Sequence, residues 1–273
     1  MMRFLFRLVV PGLAVLALAG GGAAAVAQAS DGTGPQNFVA LGVGFGPEYL
    51  GSEDGTVGPF FAGRYDAGPV IFESRGTSLA ADLLGPRSGG AFSAGPLARY
   101  RFGRDDVDNA VVDRLADVDG AVELGLFASY AIRGLLDPAD ALAFRLEAAF
   151  DVSDGHDGAV VTPSVSYSAP ITDRLRATVS VSADYGDDSF HEAFFGVDAA
   201  GSVASGLPGF DAEAGFYSAG VSFAANYAFT ETWGVTGLIS YSRLLGDAED
   251  SPVVDLEGDA NQVFGGLGVV YRF

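Results

Sequence analysis

Cysteine and lysine are absent from this 273-residue chain, histidine occurs twice and tryptophan once. The missing cysteines exclude disulfide staples and thiolate chemistry, so an oxidising compartment would neither help nor harm the fold. All fifteen basic residues are arginine and they face 35 acids, a formal net charge of −20. So acidic a chain lacks the basic footprint that nucleic-acid binding requires. It would also be repelled by anionic headgroups unless its charge sat in loops or in a lumen. Two histidines leave little room for catalysis. Ser189, His191 and Glu192 are close in sequence, but neither a nucleophile elbow nor an oxyanion glycine pattern accompanies them, so no catalytic residue is assigned. The acidic runs 105–119, 151–157 and 247–259 could offer oxygen ligands to Ca²⁺. None has EF-hand spacing, and Asp106-Val107-Asp108-Asn109 lacks the glycine that should follow. They read as solvated loops, and neither a metal nor a cofactor is expected.

Long apolar runs are scarce too. One lies at the amino terminus, where Arg3 and Arg7 flank the start of an apolar stretch from Leu8 to Ala19, and Ala27-Gln28-Ala29 precedes Ser30 as an A-x-A cleavage site. Basic, apolar and small residues in that order are a secretory signal peptide. The apolar stretch is shorter than the roughly 20 residues needed to span a bilayer. The expected division is a cleaved leader, 1–29, and one domain, 30–273. Removing the leader takes away two arginines and no acid, leaving 13 arginines against 35 acids, a net of −22. No apolar helix remains to anchor the domain.

What the chain has in abundance is glycine (39 residues), aromatics (12%) and alternation with period two. Stepping back by two from the terminal Phe273 meets Tyr271, Val269, Leu267, Gly265 and Val263, one apolar face of a strand that ends on an aromatic carboxy terminus. Leu267, Val269, Tyr271 and Phe273 resemble the terminal signal that outer-membrane barrels present to their assembly machinery. Segments 91–103, 121–133, 141–152 and 174–185 alternate as clearly, and weaker alternation occurs at 37–47, 57–66, 70–84, 158–169, 215–229 and 233–243. Across the four clear segments and the last strand, eleven charged residues all lie opposite the apolar face. The phase of each strand is free, so six placements are informative, and chance agreement is on the order of one in sixty. A charged arginine facing lipid near mid-bilayer costs roughly 2–4 kcal/mol, a pressure that would produce this sorting. A soluble sandwich also alternates, but segments of 11–15 residues suit tilted membrane-crossing strands better. Aromatics such as Phe102, Tyr130, Phe150, Tyr167, Tyr185, Trp233 and Tyr241 fall near strand ends, where interfacial girdles belong.

The expected fold is therefore all-β, a transmembrane antiparallel β-barrel in the outer membrane of a Gram-negative bacterium. The segments give eleven strands. A closed barrel with both termini on one side needs an even number, so one more is hidden, either by a split of 70–84 at Gly76 or in 189–197. Twelve strands are expected, with ten as the smaller alternative. The tight turn Thr230-Glu231-Thr232 should be periplasmic, which places 244–262 outside. The charges that alternate inward, Arg99, Arg101, Glu123, Arg145, Glu147, Arg174, Arg176 and Asp184, come from nearby strands. They suit either a constriction that selects anions or a paired polar core that fills a narrow barrel.

Several segments resemble the MipA/OmpV family, which includes the MltA-interacting protein. They are Gly46-Pro47-Glu48-Tyr49-Leu50-Gly51-Ser52 with Pro59-Phe60 after it, Gly103-Arg104-Asp105-Asp106 running on to Glu123-Leu124-Gly125, Phe195-Gly196-Val197 with Ser205-Gly206-Leu207, and Arg243-Leu244-Leu245-Gly246-Asp247 through Val254. They run in order from about Asn37 to Phe273, and the last block is the most specific. The resemblance implies a non-enzymatic outer-membrane protein that anchors murein-synthesising or remodelling enzymes, with a lytic transglycosylase and a penicillin-binding protein as periplasmic partners. Outer-membrane lipid and the barrel assembly machinery are the partners that any such barrel implies. Porin-like and adhesin-like members of the family keep a small-solute diffusion channel and a surface adhesin open as alternatives.

Overall fold

The computed structural model describes residues 37–273; the expected leader, with Ala27, Ala29 and Ser30, lies outside them. Twelve strands follow one another: β1 (Phe38–Pro47), β2 (Gly55–Asp66), β3 (Ile71–Arg75), β4 (Ser78–Asp82), β5 (Phe92–Arg101), β6 (Ala121–Arg133), β7 (Ala141–Asp151), β8 (Ala159–Thr172), β9 (Leu175–Gly186), β10 (Gly215–Ala228), β11 (Trp233–Leu244) and β12 (Asn261–Arg272). Each pairs antiparallel with its sequence neighbours. β12 returns to β1, from Phe38 opposite Arg272 to Phe45 opposite Gly265, and closes the barrel. Closure is what allows a sheet to satisfy its backbone in lipid, where no water can. At this seam a Cβ built on Gly42 would lie 1.9 Å from the Leu267 carbonyl oxygen and 2.5 Å from Gly268 Cα. Gly42→Val should therefore cost about 1–3 kcal/mol or block closure, read as loss of the heat-modifiable folded band on a gel.

Alternation sets the two faces. In β6 Val122, Leu124, Leu126, Tyr130 and Ile132 are exposed to the outside while Glu123 and Phe127 are buried within. The same phase puts Leu41 and Val43 of β1 and Leu267 and Val269 of β12 on the outer wall. Aromatics pair along the wall near the terminal end, Trp233 with Tyr271 at 4.9 Å, Phe92 with Tyr130 at 4.7 Å and Phe273 with Tyr271 at 6.0 Å. Near the other end Tyr100 meets Phe102 at 5.0 Å and Tyr185 meets Phe216 at 5.5 Å. These two bands bracket the apolar belt, as interfacial girdles do.

The hidden strand comes from 70–84. Gly76, at a φ of 55°, turns the chain and splits the segment into β3 and β4. The competing stretch is helical instead, α1 (Asp188–Phe195), because Phe190, Phe194 and Phe195 recur with helical rather than alternate spacing. The Asp187 carboxylate caps it by accepting the Phe190 N–H. Being only five residues each, β3 and β4 leave the upper part of β2 paired with β1 alone, its other side without a strand among the described residues. The last rung there is the Gly76 N–H on the Phe61 carbonyl. Backbone groups of alternate residues point the same way in an antiparallel sheet, so Pro59 lies at this open edge, where its missing N–H does least harm.

The interior is full. From the terminal end up to the cavity under the cap, Phe38, Ala40, Phe60, Ala62, Leu238, Phe264 and Val270 form one apolar cluster. A second apolar patch, Ala80, Leu97, Phe127 and Ala149, lines β4 to β7. The inner face of β8 to β11 is hydroxylic, with Thr162, Ser168, Thr178, Ser180 and Thr236 all buried. A bulge between Phe216 and Ser218 turns both Tyr217 and Ser218 inward. The five loops at the end away from the termini, 48–54, 102–120, 152–158, 187–214 and 245–260, carry 23 of the 35 acids. The chain's negative charge is thus held out of the membrane-crossing strands, where it would be most costly.

Candidate functional site

Inside the barrel, five arginines share three glutamates. Glu73 takes Arg64 at 2.6 Å and Arg75 at 2.8 Å. Glu147 takes Arg145 at 2.7 Å and Arg99 at 2.8 Å, with Arg75 at 3.9 Å. Glu123, fully buried, takes Arg101 through Nε, Arg99 at 3.6 Å and the His156 ring at 3.0 Å. His156 Nδ1 accepts the Gly158 N–H, so its Nε2–H donates to the Glu123 carboxylate. The two positive charges in excess are moderated by aromatic faces. The Arg145 guanidinium lies 3.9 Å from the centre of the Phe127 ring, and that of Arg101 lies 5.0 Å from the Phe190 ring.

The upper end of this network meets a cap folded from the acidic loops. Besides α1 the cap contains α2 (Ala199–Ser205), α3 (Asp247–Asp250), α4 (Pro252–Asp255) and a single 3-10 turn, Val112–Arg114. Its core is apolar: Phe190, Phe194, Phe195, Leu244, Ala248 and Val254 cluster over the barrel mouth with Tyr217 beneath them. A second cluster joins Tyr49, Val112, Leu115, Val197, Leu207 and Val253. Polar ties cross between loops. Ser251 Oγ donates to the Phe195 carbonyl at 2.6 Å, Arg104 donates to the Phe194 carbonyl at 2.9 Å, and the Gln262 amide donates to the Ser52 carbonyl at 3.1 Å. Burial pushes Arg104 below its ordinary value and raises Glu48 and Tyr49 above theirs. Under the cap remains a cavity of about 70 Å³, lined by Arg101, Ser182, Asp184, Tyr217, Ser240 and Ser242. That holds a few waters.

Of the inward charges read from the sequence, Arg99, Arg101, Glu123, Arg145 and Glu147 meet in this network. Arg176 and Asp184 lie inside but apart. Arg176 donates to Ser168 Oγ at 3.3 Å and to the Ala139 carbonyl at 3.0 Å; Asp184 accepts from Thr162 at 2.7 Å and Ser218 at 2.8 Å. Arg174 stands outside it, exposed in the turn between β8 and β9, because the inward phase of its strand runs past the barrel's end. Alternation missed Arg64, Glu73, Arg75 and His156. Arg64 opposes Phe61 and Tyr65 and could have been found; Glu73 and Arg75 lie in a strand too short to set a phase. His156 gave no periodic signal, since it sits in a turn whose N–H groups converge on Asp151. Among the described residues no group of three or more His, Cys, Asp or Glu side chains could hold a metal ion.

The terminal end is built from short turns laced by arginine. Arg87 donates to the Leu83 carbonyl and, at 3.4 Å, to that of Pro69, and Arg133 donates to the Gly90 carbonyl at 3.3 Å. With Arg176 on Ala139, four successive turns are tied together. In turn 134–140 the Asp140 carboxylate accepts the N–H groups of Leu135, Leu136 and Asp137 at 2.8, 2.7 and 2.9 Å and the Tyr167 hydroxyl at 2.7 Å. That hydroxyl and those amides hold the Asp140 carboxyl well below the usual carboxylate range. The turn so fixed leaves Leu136 82% exposed, with Leu135, Leu83 and Leu84 also exposed.

A closed twelve-stranded barrel with an apolar outer wall, aromatic girdles and a plugged interior defines an outer-membrane β-barrel protein. The chain belongs to the MipA family: the family described as MltA-interacting protein MipA matches residues 39–273. No curated protein matches. Solved structures that it resembles include an outer membrane channel from Pseudomonas putida F1, with TM-score 0.44 and 10% identity over 87% of this chain and 95% of that one. The outer membrane channel DcaP of Acinetobacter baumannii gives 0.39 and 10% over 87% and 96%. The Ralstonia pickettii toluene transporter TbuX gives 0.35 and 10% over 87% and 89%.

Proposed function

We propose that this protein is a non-enzymatic anchor that holds murein-synthesising or remodelling enzymes at the outer membrane. Exported by its leader and cut after Ala29, it would be inserted by the barrel assembly machinery, which would read the Leu267, Val269, Tyr271 and Phe273 face of β12. The terminal end is then periplasmic and the acidic cap faces outward. The observation that carries the reading is the contrast between the two ends. The lumen is occupied by its own ion pairs and covered by the cap, which favours a closed barrel over a diffusion pathway. The periplasmic turns, by contrast, form a rigid platform presenting leucines to whatever lies below. The family's description as MltA-interacting supports a partner of the murein-enzyme class, here a lytic transglycosylase or a penicillin-binding protein.

Affinity capture of the native protein in mild detergent should recover such an enzyme. A Leu135→Asp/Leu136→Asp double variant should lower that recovery by about tenfold or more, as loss of exposed apolar anchors does at an interface, while the heat-modifiable folded band persists. Capture without any murein enzyme would remove the anchor reading.

A further inference from the structure

The cap contains a strap held, among the described residues, by hydrogen bonds to titratable side chains. Ala212, Glu213 and Ala214 lead into β10, and their three successive N–H groups are accepted by Glu192 at 3.3 Å, Asp247 at 2.7 Å and Asp188 at 2.7 Å. The one carbonyl held from the cap side, that of Glu213, accepts from Nδ1 of His191. In the neutral ring that leaves Nε2 without a proton, and Nε2 is buried with no partner. Around it stand the rings of Phe195 at 5.7 Å, Tyr217 at 6.0 Å and Phe190 at 6.1 Å. The imidazole is suited to this place only while uncharged.

We propose that the strap 212–214 is an acid-released latch on the cap, with His191 as the group whose protonation frees it. A proton added at Nε2 creates a buried N–H with no acceptor and a charge taken out of water. Burial already holds His191 below its ordinary value. The sign follows from that depression: the closed cap keeps its full stability above about pH 6.5, the ordinary histidine value, and loses it as pH falls below. The charged and titratable groups around the ring are Asp187, Asp188 and Glu192 of α1 and its cap, Asp211 just before the strap and Glu213 within it, Asp247 of α3 and Tyr217 of β10, with Arg101 against the Phe190 ring. The carboxylates of Asp188, Glu192 and Asp247 would favour the cation, but each is engaged by a strap N–H, so satisfying the imidazolium and keeping the strap compete for the same oxygens. Release of the strap frees α1, and with it the Phe190 ring over Arg101, so the cavity below becomes accessible. Such regulation of access to the lumen is independent of what the periplasmic face binds.

Hydrogen exchange on the full folded barrel in detergent micelles tests this, corrected for intrinsic rates between pH 7.5 and 5. Protection of the strap amides should fall by about tenfold or more, with a midpoint between about pH 5 and 6.5, while the barrel strands stay protected. His191→Asn keeps an N–H at the δ position for the Glu213 carbonyl and does not titrate, so it should hold the strap at both pH values. Unchanged wild-type protection down to pH 5 would overturn the proposal. So would a His191→Asn variant that opens with the wild-type midpoint, or one already open at pH 7.5, since the imidazole would then be packing and not trigger.

Discussion

Glu123→Ala is expected to destabilise the folded barrel by about 3–5 kcal/mol, the range for breaking a buried ion pair by removing one partner. Glu123 is fully buried and is the carboxylate nearest to both Arg101 and His156. Arg99 retains Glu147 at 2.8 Å when it goes, but Arg101 loses its directly paired carboxylate, keeping the Phe190 ring and the Asp184 carboxylate across the cavity, and His156 loses the acceptor of its Nε2–H. An uncompensated guanidinium inside the barrel is the dominant cost, and the loss spreads to the cap because Phe190 and His156 both belong to loops. Arg243→Ala is the natural comparison. Its pair with Glu249 lies on the surface at the cap end with the two side chains 45% and 34% exposed, so water and salt screen it and the expected change is below about 1 kcal/mol. Reversible urea unfolding in detergent or lipid reads both. Equal, small effects for the two variants would mean that the lumen network contributes nothing to stability.

Leu126→Arg should cost about 2–4 kcal/mol, the penalty for arginine on the lipid face at mid-bilayer. Leu126 stands near the middle of β6, 66% exposed on the outer wall, between Leu124 and Ala128. The penalty comes from transferring the guanidinium out of water with no carboxylate available on that face. The same substitution at Val203, 88% exposed on α2 of the cap, should be nearly neutral, because water surrounds it. Unfolding in lipid vesicles distinguishes the two positions. If Leu126→Arg is tolerated as well as Val203→Arg, the outer wall does not face acyl chains.

Much of the barrel was legible from periodicity because a strand's faces are a local property. Each residue's neighbour at i+2 reports the same environment, and lipid on one side with a packed lumen on the other sorts charge accordingly. Val122 to Ile132 and the stretch ending at Phe273 could therefore be assigned without any knowledge of their partners. The split at Gly76 was visible only as one of two possibilities. A five-residue strand is too short to declare a period, and the alternative at 189–197 was settled by the helical spacing of its three phenylalanines.

The sequence by itself determined a closed all-β wall, which residues face outward, and the terminal aromatic strand, since each depends on alternation over a dozen residues or fewer. Only the tertiary structure decided which charges meet. Arg99 and Glu147 are 48 positions apart, and their contact is a consequence of strand register around the cylinder and of side chains reaching across it. The same holds for His156 on Glu123, for the strap on His191 and for the cap over the mouth. These are loop residues with no period to read, positioned by burial of an apolar cluster that exists only once the loops have converged.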